Sequence, residues 1–309
     1  MELVKAENIS SILGIGGGVC MDLAKTIAFG VKQTTDIWDI LSYAKSPDTM
    51  KHLPVGTIVT FPSSGSDMNG STQITNDETG ENAGLAEVYP NFSWQNPEYM
   101  LSIENEALIS AQMTAYVQLA LGYIGLGKSD IAENTSLALM NTLLDNLDKA
   151  IADSNDVDAR STLMTISALT VNGLTTLGKA GDWVLYPLNA IVMDYCNVAY
   201  KPCITVIFPY WIKMIYDGQE EINSYFNKAF DVVIEGREKK DILKDGLKAI
   251  FKLYRKYNLP INYSEIHEVK ENSEALQESL EMLAGMQSIY TELTTEKVMQ
   301  MINEAIHGI

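Results

Sequence analysis

Two short runs near the start of the chain have the residue types and spacing to do chemistry. Gly14-Ile15-Gly16-Gly17-Gly18 follows an apolar run and precedes a segment of helical spacing. Glycines at a strand-to-helix turn let the backbone approach a pyrophosphate, and the helix N-terminus adds N–H donors and positive potential. Taken alone, the pattern fits a tight turn with no ligand equally well. The second run is serine-rich, Thr60-Phe61-Pro62-Ser63-Ser64-Gly65-Ser66-Asp67-Met68-Asn69-Gly70. Other chemistries are excluded by count. Three histidines (His52, His267, His307) and three cysteines (Cys20, Cys196, Cys203) cannot form a four-ligand zinc site at the usual spacing or a disulfide scaffold. The cysteines lie scattered in apolar runs and read as buried thiols of a reducing cytosol. The histidines read as surface or loop imidazoles.

The elements that must position these runs divide the chain in two. Residues 11–15 form an apolar run ended by glycines, as expected of a buried strand. Asp22 to Lys32 reads as a helix because Leu23, Ile27 and Val31 recur at helical spacing, and residues 54–60 form a second buried strand. Strand, helix, strand predicts a parallel α/β layer. Beyond Ser102 the spacing predicts helices over 103–125, 130–152, 156–177, 183–195, 203–216, 219–234, 237–257, 273–286 and 294–307. Ser102, Asp156 and Thr294 supply N-caps. The expected organisation is a partial dinucleotide-binding α/β domain over 1–101 and an all-helical domain over 102–309. The α/β part is an incomplete Rossmann-like parallel sheet, because a doubly wound domain normally opens with a full βαβ unit before such a loop.

The chain has 309 residues, with 22 Lys+Arg against 40 Asp+Glu and a net charge of −18. No nucleic-acid or anionic-membrane partner is expected, since both need a cationic surface. No signal peptide or membrane-length apolar run is visible, and the reading is a cytoplasmic protein. The acidic run from Glu265 to Glu281 reads as a solvated helix face.

Gly16-Gly17-Gly18-Val19-Cys20-Met21-Asp22-Leu23-Ala24-Lys25 resembles the G-G-G-S-x-x-D-x-A-K motif of the iron-containing alcohol dehydrogenase family, with Val19 in place of the serine. The serine-rich run resembles the T-x-P-x-T-G-S-E-M-N segment of that family's butanol-dehydrogenase-like branch, and Ile74 to Gly80 fits the stretch that follows. The likeness continues through 143–146, 159–161, 172–174, 181–183, 207–211 and 257–260, so it covers nearly the whole chain. It implies the dehydroquinate synthase-like fold of that family. It also implies NAD(P)-dependent alcohol or aldehyde chemistry and iron or zinc polarising the substrate oxygen; a homodimer is the expected assembly. The family's first strands have no counterpart ahead of the glycine loop, which reads as an N-terminal shortening.

The resemblance places the family's metal ligands, one Asp and three His, at Thr114, Gln118, Ala190 and Tyr200. The spacing is kept and the ligands are not, and a further family His falls at Tyr186. Thr hydroxyl, Gln carbonyl and neutral Tyr are weak donors and Ala has none, so the reading is that the metal is lost. The family's pyrophosphate Lys falls at Asn82. The cofactor-binding residues that remain are Gly16, Gly17, Gly18, Asp22, Thr60, Ser63 and Ser66.

Apolar periodicity and caps are intact, which suggests a fold maintained for some use. The first reading is a catalytically inactive homologue with a scaffold or regulatory role. A second keeps a metal-independent oxidoreductase in which Tyr186 or Tyr200 donates the proton. A third is a small-molecule binding module using the cleft between the domains, with Phe61, Phe92, Trp94, Tyr116, Trp183 and Tyr186 as candidate lining. Without covering strands, apolar surface near Leu13 and Ile58 should lie open.

Overall fold

The computed structural model describes residues 1–79, 82–196, 200–266 and 288–309, with the side chains of Asp194, Cys196, Tyr200, Lys201 and Pro202 also outside the description. Two compact units emerge. One comprises Met1–Ala115 and Leu143–Leu174, the other Tyr116–Thr142 and Thr175–Ile309. The change from sheet to helix near residue 102 is therefore not where compactness divides the chain.

The first unit is built on a parallel sheet of β1 (Ile12–Gly17), β2 (Val55–Phe61) and β5 (Phe92–Gln95), in the order β1-β2-β5. The short helix α1 (Glu2–Ala6) precedes β1, and α2 (Gly18–Gly30) carries the chain from β1 towards β2. Helix α2 is where expected but starts earlier, and its buried face differs from the expected one. Met21, Ala24, Lys25, Ala28 and Phe29 are buried, while Leu23 is exposed. Small side chains face the sheet because the helix lies close to it. A Cβ on Gly14 would sit 3.0 Å from Ala24 Cβ. Ala24 and Ala28 pack with Leu53 and Val55, and Ile12 joins them.

That packing covers one face of β1 only. The expected buried strand is thus half open, with Leu13 and Ile15 exposed. The expectation that Leu13 would be uncovered holds, and Ile58 is half-buried. The cysteine expectation also needs correction. Cys203 is buried, but Cys20 is exposed because it lies in the first turn of α2 away from the sheet.

Helix α3 (Ile37–Leu41), capped by Asp36 onto the Trp38 N–H, and the two-residue strands β3 (Ile74–Thr75) and β4 (Asn82–Ala83) were too short to announce themselves by periodicity. So was β5, where Phe92-Ser93-Trp94-Gln95 is only four residues long.

Helix α4 (Asn105–Tyr123) and helix α5 (Asp130–Ala152) run through the division between units. From Ala111 onward helix α4 is buried all round, with Ala111, Met113, Ala115, Tyr116, Val117, Leu119 and Ala120 inaccessible. Gln112, Thr114 and Gln118 are consequently buried too. Helix α6 (Val157–Leu169) starts at Asp156, whose side chain accepts from the Ala159 N–H at 2.9 Å. It stops eight residues short of the expected 177. Thr170 turns its hydroxyl onto the Ser167 carbonyl, and Gly173 takes φ +93, a left-handed conformation that a helix cannot continue.

The second unit contains α7 (Leu185–Cys196), α8 (Tyr200–Ile215), α9 (Glu220–Phe230), α10 (Lys239–Lys256) and α11 (Thr295–His307). Its core is aromatic: Phe208 stacks with Trp211 at 6.2 Å, and Tyr225 meets Tyr123, Phe208, Phe226 and Phe230. Helix α9 ends at Phe230, not 234, because Asp231 adopts φ 56. Thr294 caps α11 as expected, accepting from the Lys297 N–H. The expected helix 273–286 and most of the run Glu265 to Glu281 lie outside the described residues. Within that run Glu265 is paired with Arg255 at 2.5 Å. Among the described residues no helix is long and apolar enough to cross a membrane.

Candidate functional site

The glycine loop forms where β1 meets α2. Gly16 has φ +150, and a Cβ there would lie 2.7 Å from Cys20 Sγ. Gly17 pairs with Phe61 across a break in the ladder, and it precedes α2 without a side-chain cap. Gly17 therefore places no capping side chain on the N-terminal end of a thirteen-residue helix, where unpaired N–H groups and the helix dipole favour an anion.

The serine run folds over this turn. A Cβ on Gly18 would meet Ser64 Oγ at 2.8 Å and Ser66 Oγ at 3.6 Å, and the two hydroxyls are 3.0 Å apart. Of the expected cofactor residues, Gly16, Gly17, Gly18 and Ser66 are brought together. Ser64, which sequence reasoning passed over, is the hydroxyl nearest Gly18. Its Ser63-Ser64 neighbourhood was visible, but register along a loop is not. Ser63 is buried and Thr60 half-buried near the end of β2.

Asp22, also expected among the cofactor residues, is held by partners within the protein. Its carboxylate accepts from the Gln73 N–H at 3.1 Å and pairs with Lys25 Nζ at 3.2 Å. The Lys25 ammonium is fully buried and donates to Ser66 O at 2.9 Å, to Asn69 Oδ1 at 3.3 Å and to Ser71 O. Burial pushes the Asp22 carboxyl up and the Lys25 ammonium down, while their mutual attraction opposes both shifts. This pair pins the serine run. Gly65 completes the fit: its φ is +68, and a Cβ would come within 2.7 Å of the Ser167 carbonyl at the end of α6. Asp67 accepts from Ser93 Oγ at 2.7 Å and Gln95 Nε2 at 2.8 Å, tying the same loop to β5. Asn82 lies in the exposed hairpin and donates to Thr75 Oγ1, so it supplies no cation.

The four positions implied as metal ligands are chemically different. Thr114 donates its hydroxyl to the Ser110 carbonyl of its own helix at 3.0 Å. Gln118 is 2% exposed, its side chain hydrogen-bonds the Tyr186 hydroxyl, and its Oε1 has no partner. Ala190 lies in α7 and offers no donor atom. Tyr200 opens α8, and its side chain lies outside the described residues. One neutral amide oxygen and a hydroxyl already committed to its helix do not make a site for iron or zinc, which take carboxylate and imidazole. Burial pushes the Tyr186 hydroxyl up to about 12, against the pull of Gln118.

The other residues in question are placed as follows. Asp182 is buried and accepts from Ser288 Oγ and the Val184 N–H. His52 is in a loop with Nδ1 beside the Leu53 carbonyl, and His307 is exposed at the end of α11. His267 lies outside the described residues. Among the described residues no group of three or more His, Cys, Asp or Glu could hold a metal. Of the aromatics singled out, Tyr116 is buried beside the Tyr225 hydroxyl, whereas Phe92, Trp94 and Trp183 are exposed.

The architecture is a parallel sheet with a glycine-rich strand-to-helix turn followed by a mostly helical stretch. Known proteins carry both parts. The family model described as iron-containing alcohol dehydrogenase matches residues 1–97, and that of the family's C-terminal part matches 109–306. The chain belongs to the iron-containing alcohol dehydrogenase family. It is 24% identical to the probable NADH-dependent butanol dehydrogenase 2 of Bacillus subtilis, over 98% of this chain and 79% of that protein. Among solved structures, the NADH-dependent butanol dehydrogenase A of Thermotoga maritima superposes with a TM-score of 0.89 at 23% identity, covering 99% of this chain and 78% of that one. YqhD of Escherichia coli also gives 0.89, at 20% identity, with 98% and 79% covered.

Proposed function

We propose that this chain is a metal-free member of its family that keeps a phosphate-accepting loop and performs no metal-dependent alcohol dehydrogenation, acting as a binding or scaffold protein. The observation that carries the reading is Gln118. A charged or imidazole ligand is replaced there by a neutral amide already bonded to Tyr186, on a helix where Thr114 has turned its hydroxyl inward. The cofactor side supports retained recognition. Gly16, Gly17 and Gly18 leave the start of α2 open, and Ser64 and Ser66 face it. NAD or NADP would place its pyrophosphate there, with the glycine N–H groups and the serine hydroxyls as its hydrogen-bond partners.

The Tyr186–Gln118 contact is also what a metal-independent oxidoreductase would use. A hydroxyl held at about 12 is a poor acid at neutral pH, and a lone weak donor stabilises a developing alkoxide far less than a divalent ion. The binding reading is therefore the stronger.

The test is to grow the protein with iron and zinc, measure bound metal, and assay NADH- and NADPH-dependent reduction of butanal. Substoichiometric metal and no turnover are expected, together with a rise in Tm with NADH that Gly18→Val removes. Stoichiometric metal with turnover would overturn the reading. Metal-free turnover abolished by Tyr186→Phe would establish the oxidoreductase instead.

A further inference from the structure

We propose that Asn172 is a site of spontaneous covalent modification, its side-chain amide deamidating through a succinimide to aspartate and isoaspartate, while the fold holds the other Asn-Gly pair, Asn69-Gly70, unreactive.

Asparagine precedes glycine at two places in the chain, Asn69-Gly70 and Asn172-Gly173. In such a pair the glycine nitrogen can attack the asparagine Cγ, because no side chain on the glycine hinders the approach. The local turn is the same at both. Asn69 Oδ1 accepts from the Ser71 N–H at 2.9 Å, and Asn172 Oδ1 accepts from the Leu174 N–H at 3.1 Å. A bond of this kind, to the N–H two residues on, folds the side chain over the intervening peptide. It brings Cγ towards the glycine nitrogen and polarises the carbonyl that is attacked. Sequence and local turn therefore rank the two pairs equally.

Their surroundings separate them. Asn69 is 5% exposed and sits in the pinned serine run. Its Oδ1 also accepts from Lys25 Nζ at 3.3 Å, and its Nδ2 donates to the Ser64 carbonyl at 3.3 Å. Gly70 is walled in, since a Cβ there would lie 2.7 Å from the Tyr89 ring and 3.0 Å from the Glu87 nitrogen. This amide cannot become tetrahedral without breaking those bonds, and water is kept from it. Asn172 lies beyond the end of α6, half-buried, beside an exposed Gly173. Apart from chain neighbours, nothing lies within 4 Å of where a Cβ on Gly173 would stand. Among the described residues neither the Gly173 N–H nor Asn172 Nδ2 has a hydrogen-bond partner. Nucleophile and leaving group are both free, and solvent reaches them.

The reaction needs only water. A base in solvent takes the Gly173 amide proton as the nitrogen bonds to Asn172 Cγ. The bond from Cγ to Nδ2 breaks, ammonia leaves, and a cyclic imide closes. Water then opens the imide at either carbonyl. Attack at Cγ leaves aspartate at 172, and attack at the backbone carbonyl leaves isoaspartate, with the chain continuing through the side chain. The net change is a water consumed and an ammonia released. The product carries a new carboxylate in the joint between α6 and the short turn of helix Leu174–Thr176.

The test is peptide mapping by mass spectrometry of the full chain after weeks in mildly alkaline buffer, beside a sample unfolded in urea. In the folded chain the gain of about 1 Da that marks deamidation is expected at Asn172 at least about tenfold faster than at Asn69. In urea the two rates should converge, because the fold alone separates them. The rate at Asn172 should rise with pH, and fragmentation of its peptide should show aspartate and isoaspartate together. An intact Asn172 in the folded chain overturns the proposal, as does an Asn69 that reacts as fast. A preference for Asn172 that persists unchanged in urea refutes the role given to the fold. Aspartate without isoaspartate would mean direct hydrolysis of the amide and would refute the cyclic route.

Discussion

Lys25 and Gln118 are both long polar side chains buried in a helix, yet their surroundings are opposites. Lys25 has a carboxylate at 3.2 Å and the Ser66, Asn69 and Ser71 oxygens around its ammonium. Gln118 bonds Tyr186 through one end and leaves Oε1 without a partner. The first region is polar, closed and fully specified, and it fixes a loop whose hydroxyls face an open helix terminus. The second is a polar remnant in an apolar helix. Thr114, Gln118 and Ala190 are all neutral. One region holds a charged pair with its partners, and the other holds only neutral side chains.

The largest effect that would sharpen this contrast comes from Lys25→Met. Removing the ammonium strands Asp22 and four oxygens in the interior, and a loss of about 3–5 kcal/mol is expected in urea unfolding. A loss below about 1 kcal/mol would mean that the serine loop is held by something else.

Restoring the donors tests the other side. The combined variant Thr114→Asp, Gln118→His, Ala190→His, Tyr200→His should acquire zinc-dependent stabilisation of about 2.7 kcal/mol when zinc is at a hundred times Kd. Wild type should show none. If wild type is stabilised as strongly, the contrast between the two regions disappears.

Gln118→Leu is expected to lie within about 1 kcal/mol of wild type, because it deletes an unsatisfied oxygen along with one hydrogen bond. A loss as large as that of Lys25→Met would show that Gln118 has a further buried partner.

The smallest effect concerns Asp182. Burial holds its carboxyl above the ordinary 3.8, outweighing the bonds from Ser288 and Val184. The folded chain thus keeps this proton more tightly than the unfolded one. Its contribution to stability is complete below pH 3.8 and is lost as pH rises through the raised folded value. Asp182→Asn keeps an acceptor oxygen for Ser288 and removes the titration. It should stabilise the protein slightly at neutral pH, with the difference vanishing in acid, as followed by Tm against pH.

Much of this was legible before any fold was known. The strand–glycine–helix order appeared in residues 11–32, and the long helices appeared through apolar spacing, with 130–152 matching α5 at both ends. The neutral residues at 114, 118 and 190 were readable directly, because residue type at a helical position needs no fold. Other features were hidden. Four residues at β5 give no period, and the end of α6 depended on a Thr side chain turning back onto its own helix. The buried face of α2 was misread because Leu23 is more apolar than Ala24, and hydrophobicity does not reveal how closely a helix must approach a sheet.

The sequence by itself determined the family, the glycine turn, the helical spacing and the neutral residues at 114, 118, 190 and 200, since each depends on which residue stands at which position along a local element. Only the tertiary structure decided three things. Asp22 serves Lys25 and the Gln73 N–H, Ser64 is the hydroxyl nearest Gly18, and Asn69 is held by Lys25 and Ser64 where Asn172 is open. These contacts join residues up to about fifty positions apart, and strand register and helix packing bring them together where local spacing carries no record.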